Sequence, residues 1–326
     1  MRVMRASIAC VCVLFAAAVP APASAQSDFP SRPITIIVPF PPGGSSDVIT
    51  RIVAQKVADN LKINVVIDNR GGGGGAPGAI AAKQAAPDGY TLLLANNGLF
   101  AILPALTPGI NFDPIKDYQP ITPIVTFPSV LVVPDALPAR SVKDLVALAK
   151  TKAGGLNFAS QGVGSGGHIL GEMLRLKSGA PFTHVPYRGA GPAVSDLAAG
   201  NVDLLFSSYV SAIGQVQAGK LRVLGWTATK RAPAIPDVPT MAEAGFPGTE
   251  LEIWHGIVAP AGTPEAIVRK LNEEFVKAAK SPDVLSKVAP QAVEMSTLSP
   301  AEFAKLIATD IDVLGKVIRD AGIKAQ

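Results

Sequence analysis

Residues 33–61 read PITIIVPFPPGGSSDVITRIVAQKVADNL, and this stretch predicts the fold class. Residues 34–38 are a β-branched run between prolines, which is typical of a short strand. A glycine turn follows, and apolar residues then recur at helical spacing from Asp47 to Leu61. The next predicted elements are a strand at 64–68, a helix at 79–86 and a fully apolar strand at 90–95. The first 100 residues therefore predict a β-α-β-α-β unit with a parallel sheet and right-handed crossovers.

The rest of the chain continues this alternation of short strands and helices. Predicted strands cover residues 129–133, 156–159, 183–186, 203–206, 221–226 and 251–259. Predicted helices cover residues 142–150, 168–177, 192–199, 212–218, 264–279, 282–289 and 300–321. The stretches 118–128 and 251–258 are typical of segments that cross between domains. We expect two α/β lobes with a ligand cleft between them, lobe 1 formed by residues 26–123 and 254–326 and lobe 2 by residues 124–253.

The first 25 residues predict a cleavable export signal. The start is basic, an uncharged apolar run covers residues 6–19, and Ala23-Ser24-Ala25 has the pattern that signal peptidase cleaves. Cleavage after Ala25 leaves 301 of the 326 residues. It removes two arginines and no acidic residue, so the formal charge falls from +4 to +2. Both cysteines, Cys10 and Cys12, are removed with it.

The composition of the mature chain excludes several classes of protein. Without cysteine there is no disulfide scaffold, thiol nucleophile, iron–sulfur cluster or cysteine zinc site. A charge near +2 gives no electrostatic footprint for nucleic acid. No segment is a candidate membrane span, because the first apolar run is shorter than the roughly 18–20 residues required. We expect an exported, periplasmic protein that is not embedded in the membrane and holds no metal or cofactor.

The loop from Pro39 to Asp47 joins the first strand to the first helix. Its glycines allow backbone N–H groups to approach a ligand, and the helix N-terminus favours an anion. Ser45 and Ser46 add hydroxyl groups, whereas the carboxylate of Asp47 caps the helix and would repel a nearby anion. The alternative is a plain capped turn. A Walker motif is excluded because its lysine and its spacing are missing.

Residues 160–168, SQGVGSGGH, repeat the order of strand, glycine loop and helix. Gly162, Gly164 and Gly167 fit G-x-G-x-x-G, but no acidic residue stands about 20 positions further on, as a dinucleotide site requires. For His168 a hydrogen bond to the loop is favoured over a metal or base role. His184 and His255 are interpreted as isolated, which disfavours a zinc site.

A third glycine turn lies at residues 185–193, VPYRGAGPA. Tyr187 supplies an aromatic wall or a hydroxyl group, and Arg188 is expected to face water. Glycine-bearing helix starts from different lobes can grip one carboxylate from both sides. Asn96, Asn97, Ser207 and Ser208 end strands at the same edge of the sheet, where ligands bind. No G-x-S-x-G elbow is present, and nothing in the sequence places a pair of carboxylates for glycoside chemistry, so no catalytic residue is predicted.

These motifs together resemble the Bug-type extracytoplasmic solute receptors, the periplasmic components of tripartite tricarboxylate transporters. The motifs that carry the resemblance run in order through nearly the whole mature chain: RPI at 32–34, VPFPPGGSSD at 38–47, DNR at 68–70, APDGYTLL at 86–93, GVGS at 162–165 with His168, VPYRG at 185–189, GNVD at 200–203, DVPT at 237–240 and APAGTP at 259–264. One departure is the five-glycine run at 71–75, where the family more often shows a mixed Pro-Gly-Ala-Gly-Gly pattern.

The resemblance implies a type II Venus-flytrap fold with two crossing hinge strands, not an enzyme. It implies a small carboxylate, a di- or tricarboxylic or an aromatic acid, held by the loops 42–47 and 162–168 through backbone amides, serine hydroxyls and bridging waters. The implied partners are membrane permease subunits, and the chain is expected to be a monomer. The alternatives are a sensing receptor and, less favoured, an exported hydrolase. The expected ligand-binding residues are Phe40, Pro42, Gly43, Gly44, Ser45, Ser46, Asp47, Asn96, Asn97, Gly162, Gly164, Ser165, His168, Tyr187 and Ser207.

Overall fold

Strand β1 (Ile34–Val38) and helix α1 (Ser45–Leu61) form the predicted opening unit. Ile34, Ile36 and Val38 project to one side of the sheet and share a core with apolar residues of α1. Ile37 projects to the other side and packs with Ala79. This alternation follows from the two-residue repeat of a strand, and it places helices on both faces of the sheet.

The computed structural model describes residues 29–40, 42, 43, 45–187, 189–232, 235–289 and 293–324. The predicted signal peptide, Gly44 and Arg188 lie outside the described residues. The remaining strands are β2 (Val65–Asn69), β3 (Thr91–Asn96), β4 (Tyr118–Pro134), β5 (Leu156–Ser160), β6 (Phe182–Pro186), β7 (Leu204–Ser208), β8 (Leu221–Trp226), β9 (Glu252–Pro260) and β10 (Glu294–Met295). The remaining helices are α2 (Ala76–Lys83), α3 (Leu103–Leu106), α4 (Val142–Thr151), α5 (Gly166–Ser178), α6 (Ala190–Ala198), α7 (Tyr209–Gln217), α8 (Glu265–Ala279), α9 (Pro282–Val288) and α10 (Pro300–Ala321).

Strand β4 belongs to two sheets. In the first sheet β1 pairs in parallel with β2 and β3, and β9 joins β3 to β4 in antiparallel pairing. In the second sheet β4 pairs with β7 and β8, and β5 pairs in parallel with β6 and β7. The partner of β4 changes between Pro128 and Ser129. The fold is therefore an α/β fold with two lobes that crossing strands join, as predicted from the sequence; the predicted lobe boundaries stay a prediction.

The crossing strand β4 continues through three prolines at 120, 123 and 128. Two shifts of its register against β9 fall at Pro120–Thr122 and at Pro123–Val125. Proline lacks the N–H that a regular ladder requires, so strands tolerate it at such irregularities. The sequence predicts 118–128 and 129–133 as separate segments, whereas both belong to one strand of 17 residues, Tyr118–Pro134.

Helix α10 packs against both lobes. Phe303 and Ile307 belong to a core beneath the first sheet, and Leu314 and Ile318 belong to a core of the second sheet. The start of α10 is fixed by Ser299, whose hydroxyl accepts a hydrogen bond from the Glu302 backbone (3.3 Å). Among the described residues, no helix combines the length and apolar character that a membrane crossing requires.

A π-helix at Gly98–Ile102, which runs on into α3, was not predicted. Its sequence, GLFAILPAL at 98–106, is an apolar run that contains Pro104, so it has no helical periodicity. Leu99, Phe100 and Ile102 are nevertheless buried. π-helical turns occur frequently at functional sites, and this one follows β3 directly.

Candidate functional site

Three helices of the second lobe begin at the wall of one cavity. Helix α5 begins after its N-cap Ser165, α6 begins at Ala190, and α7 begins after Ser208. Each helix start carries free N–H groups and a partial positive charge, which favour an anion. The cavity measures about 320 Å³, and we name it the serine cavity; it is lined by Phe127, Ser129, Gln161, Ser165, Gly166, Gly167, Ala190, Phe206, Ser207, Ser208, Ile253 and His255.

The start of α5 is held by short-range hydrogen bonds. The hydroxyl of Ser165 accepts from the backbone N–H of His168 (3.3 Å), and Gly164 N donates to His168 Nδ1 (3.1 Å). A Cβ atom on Gly167 would stand 2.5 Å from the carbonyl oxygen of Phe206, so only glycine fits there. Gly167 therefore allows the first turn of α5 to pack closely against β7.

The described residues that line the serine cavity carry no formal charge. Burial lowers the pKa of His255 to about 3, so this side chain is neutral at neutral pH. Its ring lies 4.7 Å from that of Phe127 and 6.3 Å from that of Phe40, and its Nε2 lies 3.4 Å from the Ser46 hydroxyl. Ser207 Oγ and His255 Nδ1 are buried without a hydrogen-bond partner among the described residues. An unpaired buried polar group costs about 1–3 kcal/mol, which a polar ligand in this cavity would offset.

The loop before α1 contributes from the first lobe. Pro42 and Gly43 are exposed, whereas Asp47 is buried. The Asp47 carboxylate accepts hydrogen bonds from Gly43 N (2.9 Å), Arg51 Nε (3.0 Å) and Asn69 Nδ2 (3.0 Å). Burial opposes ionisation of this group, but these donors keep its pKa below the usual value. The negative charge of Asp47 is thus balanced inside its own lobe.

A second cavity, of about 510 Å³, lies next to the first, and we name it the leucine cavity. The two cavities share Gln161 and Ser165. Much of the wall comes from the π-helix and α3, whose side chains there are apolar. The full lining is Phe40, Gly74, Asn96, Gly98, Leu99, Ile102, Leu103, Leu106, Gln161, Gly162, Val163, Gly164 and Ser165.

The structure places some of the predicted site residues at these cavities and others away from them. Phe40, Asn96, Gly162, Gly164, Ser165 and Ser207 line one cavity or both. Asn97 is fully buried and donates to the Glu252 carbonyl oxygen (3.1 Å). The Tyr187 hydroxyl donates to Asp196 (2.8 Å), outside both linings. Burial, with the nearby Asp196, raises the pKa of Tyr187 to about 12. The part of Asn97 and Tyr187 in ligand binding stays a prediction.

The prediction that His184 is isolated is wrong. Strands β5 and β6 pair in parallel with Phe158 opposite His184, and the His184 ring stacks on that of His168 with centroids 3.7 Å apart. The Ser160 hydroxyl lies 2.6 Å from His184 Nε2. Burial lowers the pKa of His184 to about 4, and burial together with the neighbouring His184 lowers the pKa of His168 to about 4. The neutral pair therefore supports the loop that carries Gly164.

Gln161, Phe127, Ile253 and His255 line the serine cavity but are not among the ligand-binding residues predicted from the sequence. Gln161 stands inside the glycine loop, where its Nε2 donates to the Phe206 carbonyl oxygen (2.8 Å). Ile253 and His255 are two positions apart on β9, so they lie on the same face of the strand. That periodicity was readable in the predicted strand at 251–259. Nothing in the sequence indicated which face meets the cleft.

Comparison with known proteins now identifies the family. The model of the tripartite tricarboxylate transporter family receptor, TctC, matches residues 49–323. The protein BugT of Bordetella pertussis is 36% identical, with 95% of each chain covered. The chain belongs to the tripartite tricarboxylate transporter receptor family. This confirms the resemblance to Bug-type receptors.

Solved structures agree with this family and with the two-lobe fold. A structure described as that of a periplasmic transporter is 40% identical, with a TM-score of 0.75 over 91% of this chain and 99% of that one. Rpa4515 of R. palustris, solved with adipate, is 33% identical, with a TM-score of 0.76 and the same two coverages. The family and these neighbours are solute-binding receptors and not enzymes, so the exported hydrolase is set aside. Within the described ranges, no cluster of three or more His, Cys, Asp or Glu side chains is arranged to hold a metal ion.

Proposed function

We propose that this receptor captures a small carboxylate in the serine cavity and delivers it to a transporter of the tripartite tricarboxylate type. The observation that carries the proposal is the start of α5, α6 and α7 at one cavity whose described lining has no charged side chain. Oriented backbone N–H groups then supply the attraction for the anion. The adipate bound to Rpa4515, a relative of similar fold, supports the carboxylate class.

Capture couples the two lobes. A carboxylate docked on the second lobe contacts Ser165, Ser207 and the first turn of α5. From the first lobe, His255 reaches the same cavity, and Ser46 and Phe40 lie next to its ring. Contacts made only when the lobes are closed shift the population towards the closed form. The proposed lobes are residues 26–123 with 254–326, and residues 124–253. The crossing strands absorb the motion between them.

The site of action and the partners follow from the same proposal. The chain is exported, its signal peptide is cleaved after Ala25, and the mature monomer works in the periplasm. Closed receptor presents the ligand to membrane permease subunits. The proposed ligand-binding set is the one predicted from the sequence, enlarged by Phe127, Gln161 and His255, which line the cavities.

The test compares two N-cap substitutions. Ser165→Asp places a carboxylate at the start of α5, inside the serine cavity, whereas Ser141→Asp makes the same change at α4. Ser141 caps α4 by accepting from Asp144 N (3.1 Å), and it lines neither cavity. Aspartate is as good an N-cap as serine, so both variants are expected to keep the stability of the parent protein.

Isothermal titration of ligand-stripped protein with mono-, di- and tricarboxylates measures the effect. Repulsion between two carboxylates a few ångströms apart is expected to weaken binding on the order of 100-fold in Ser165→Asp, and to leave Ser141→Asp unchanged. The proposal is refuted if no carboxylate binds the parent protein, or if the two variants bind with the same affinity.

A further inference from the structure

We propose that the ligand is a monocarboxylate with an apolar body, whose carboxylate occupies the serine cavity and whose body occupies the leucine cavity. This inference rests on the proposed function and specifies the ligand within it. The two cavities are continuous at Gln161 and Ser165, so one molecule can reach both. Together they fall within the size range of sites that bind small molecules.

Unused polar groups are concentrated on the side of the serine cavity. Ser207 is 2% exposed and His255 is 6% exposed. Ser207 Oγ and His255 Nδ1 have no hydrogen-bond partner among the described residues. Gly166 and Gly167 occupy the first turn of α5, where backbone N–H groups have no partner within the helix. The carboxylate therefore finds its donors here.

Several polar groups around the leucine cavity are already paired within the protein. Asn96 Oδ1 accepts from Leu99 N (2.8 Å), and Gln161 Nε2 donates to Phe206 (2.8 Å). The glycine loop also uses its own N–H groups. Gly162 N donates to Ser160 Oγ (3.1 Å) and Gly164 N donates to His168 Nδ1 (3.1 Å). The N–H groups of Gly162 and Gly164 are therefore not free to donate to a second carboxylate, and Asn96 Oδ1, an acceptor, is not a donor for one.

The rest of this wall is apolar and fixed in place. Leu99 and Ile102 are buried, whereas Leu103 and Leu106 are partly exposed towards the cavity. Leu103 packs against Gly74 of the glycine run in the first lobe. Leu106 packs so closely on the loop of the second lobe that a Cβ on Gly164 would stand 2.8 Å from it. The segment of residues 98–106 thus contacts a glycine loop of each lobe.

Two consequences for ligand choice follow. Each methylene buried against this wall raises the affinity about fourfold, which is equivalent to ~0.8 kcal/mol. A carboxylate at the far end of the ligand would lose its water against a mostly apolar wall, and the described lining of that wall holds no cation. Hexanoate is therefore expected to bind at least about tenfold more tightly than adipate, which has the same number of carbon atoms. Affinity is expected to rise along the series acetate, butyrate, hexanoate.

The experiment is isothermal titration of ligand-stripped full-length mature chain with these four acids. The variant Leu106→Arg places a cation at the leucine cavity, and it is expected to reverse the preference so that adipate binds more tightly than hexanoate. Leu285→Arg is the matched control, because Leu285 is an exposed leucine on α9 that lines neither cavity. It is expected to leave the preference unchanged. Reversal of a preference is a result that simple loss of stability does not produce.

Three outcomes overturn the inference. If adipate binds the parent protein as tightly as hexanoate, the ligand does not require an apolar body, and the proposed capture of carboxylates still stands. A series with equal affinity for acetate and hexanoate, or a Leu106→Arg variant that keeps the parent preference, refutes the place assigned to the leucine cavity. Absence of binding by every acid refutes the proposed function itself.

Discussion

His168 contributes to the pH dependence of the protein's stability, and His168→Asn should remove that contribution. The ring of His168 is 5% exposed, and its Nδ1 accepts a hydrogen bond from Gly164 N (3.1 Å). Only the neutral form is able to accept at that atom. Asparagine keeps an oxygen acceptor at nearly the same position but does not titrate.

The size of the effect follows from the pKa. Burial, with His184 as a lesser cause, lowers the pKa of His168 to about 4 from the ordinary value of 6.5. Between these two values the unfolded chain binds a proton that the folded chain excludes, so the free energy of unfolding falls as the pH decreases. From about pH 7 to about pH 5 the loss amounts to ~2 kcal/mol. Asparagine also gives up the stacking on His184, so the variant is expected to be less stable by ~1–2 kcal/mol at about pH 7.

Urea unfolding of the parent protein and of His168→Asn, followed by circular dichroism at several pH values, measures this difference. His184, His255 and the acidic groups are present in both proteins, so their titrations largely cancel in the comparison. The variant is expected to lose ~2 kcal/mol less than the parent protein between about pH 7 and about pH 5. Parallel stability curves over that interval would refute the assignment of a neutral, hydrogen-bonded His168 beneath the glycine loop.

Two further predictions concern the crossing strands and α10. In Gly256→Ala the new methyl group would stand 2.3 Å from the ring of Phe303. We expect urea unfolding to show a free energy of unfolding lower by ~1–3 kcal/mol, and the second substitution Phe303→Leu to restore part of it. An unchanged free energy of unfolding in Gly256→Ala would contradict this packing. Burial raises the pKa of Asp310 to about 6, while its carboxylate accepts from Trp254 Nε1 (2.7 Å). Because that pKa lies above the ordinary 3.8, the stabilising contribution of the group is lost as the pH rises from about 4 to about 6. Asp310→Asn is therefore expected to be more stable than the parent protein above about pH 6, by ~3 kcal/mol. An Asn variant that is less stable at every pH would show that the charge of Asp310 is needed.

The strands and helices were largely readable from local patterns. The β-branched run at 34–38 and the helical spacing after Asp47 predicted β1 and α1, and both elements are present. The π-helix at 98–106 escaped prediction because an apolar run has no distinguishable face. β4 escaped prediction as one strand because prolines usually end strands, and only its register shifts accommodate them.

The site was readable only in part, for a similar physical reason. Glycines and serines before a helix indicate free N–H groups, so Ser165 and Gly164 were predicted as residues of the site. The stacking of His168 on His184 depends on the pairing of β5 with β6, which no spacing along the chain reveals. The same holds for Phe127 and His255, which come together where β4 and β9 cross. Asp47 was recognised as a cap, but the Arg51 and Asn69 that balance its charge were not predicted.

In the proposed function, backbone N–H groups and hydroxyls of an uncharged cavity bind a carboxylate. Isothermal titration of ligand-stripped protein with hexanoate and with hexanamide, which has nearly the same shape but no charge, measures this directly. We expect hexanoate to bind with a dissociation constant on the order of micromolar, and hexanamide to bind about 100-fold more weakly or not at all. Equal binding of the two, or binding of the amide alone, would contradict it.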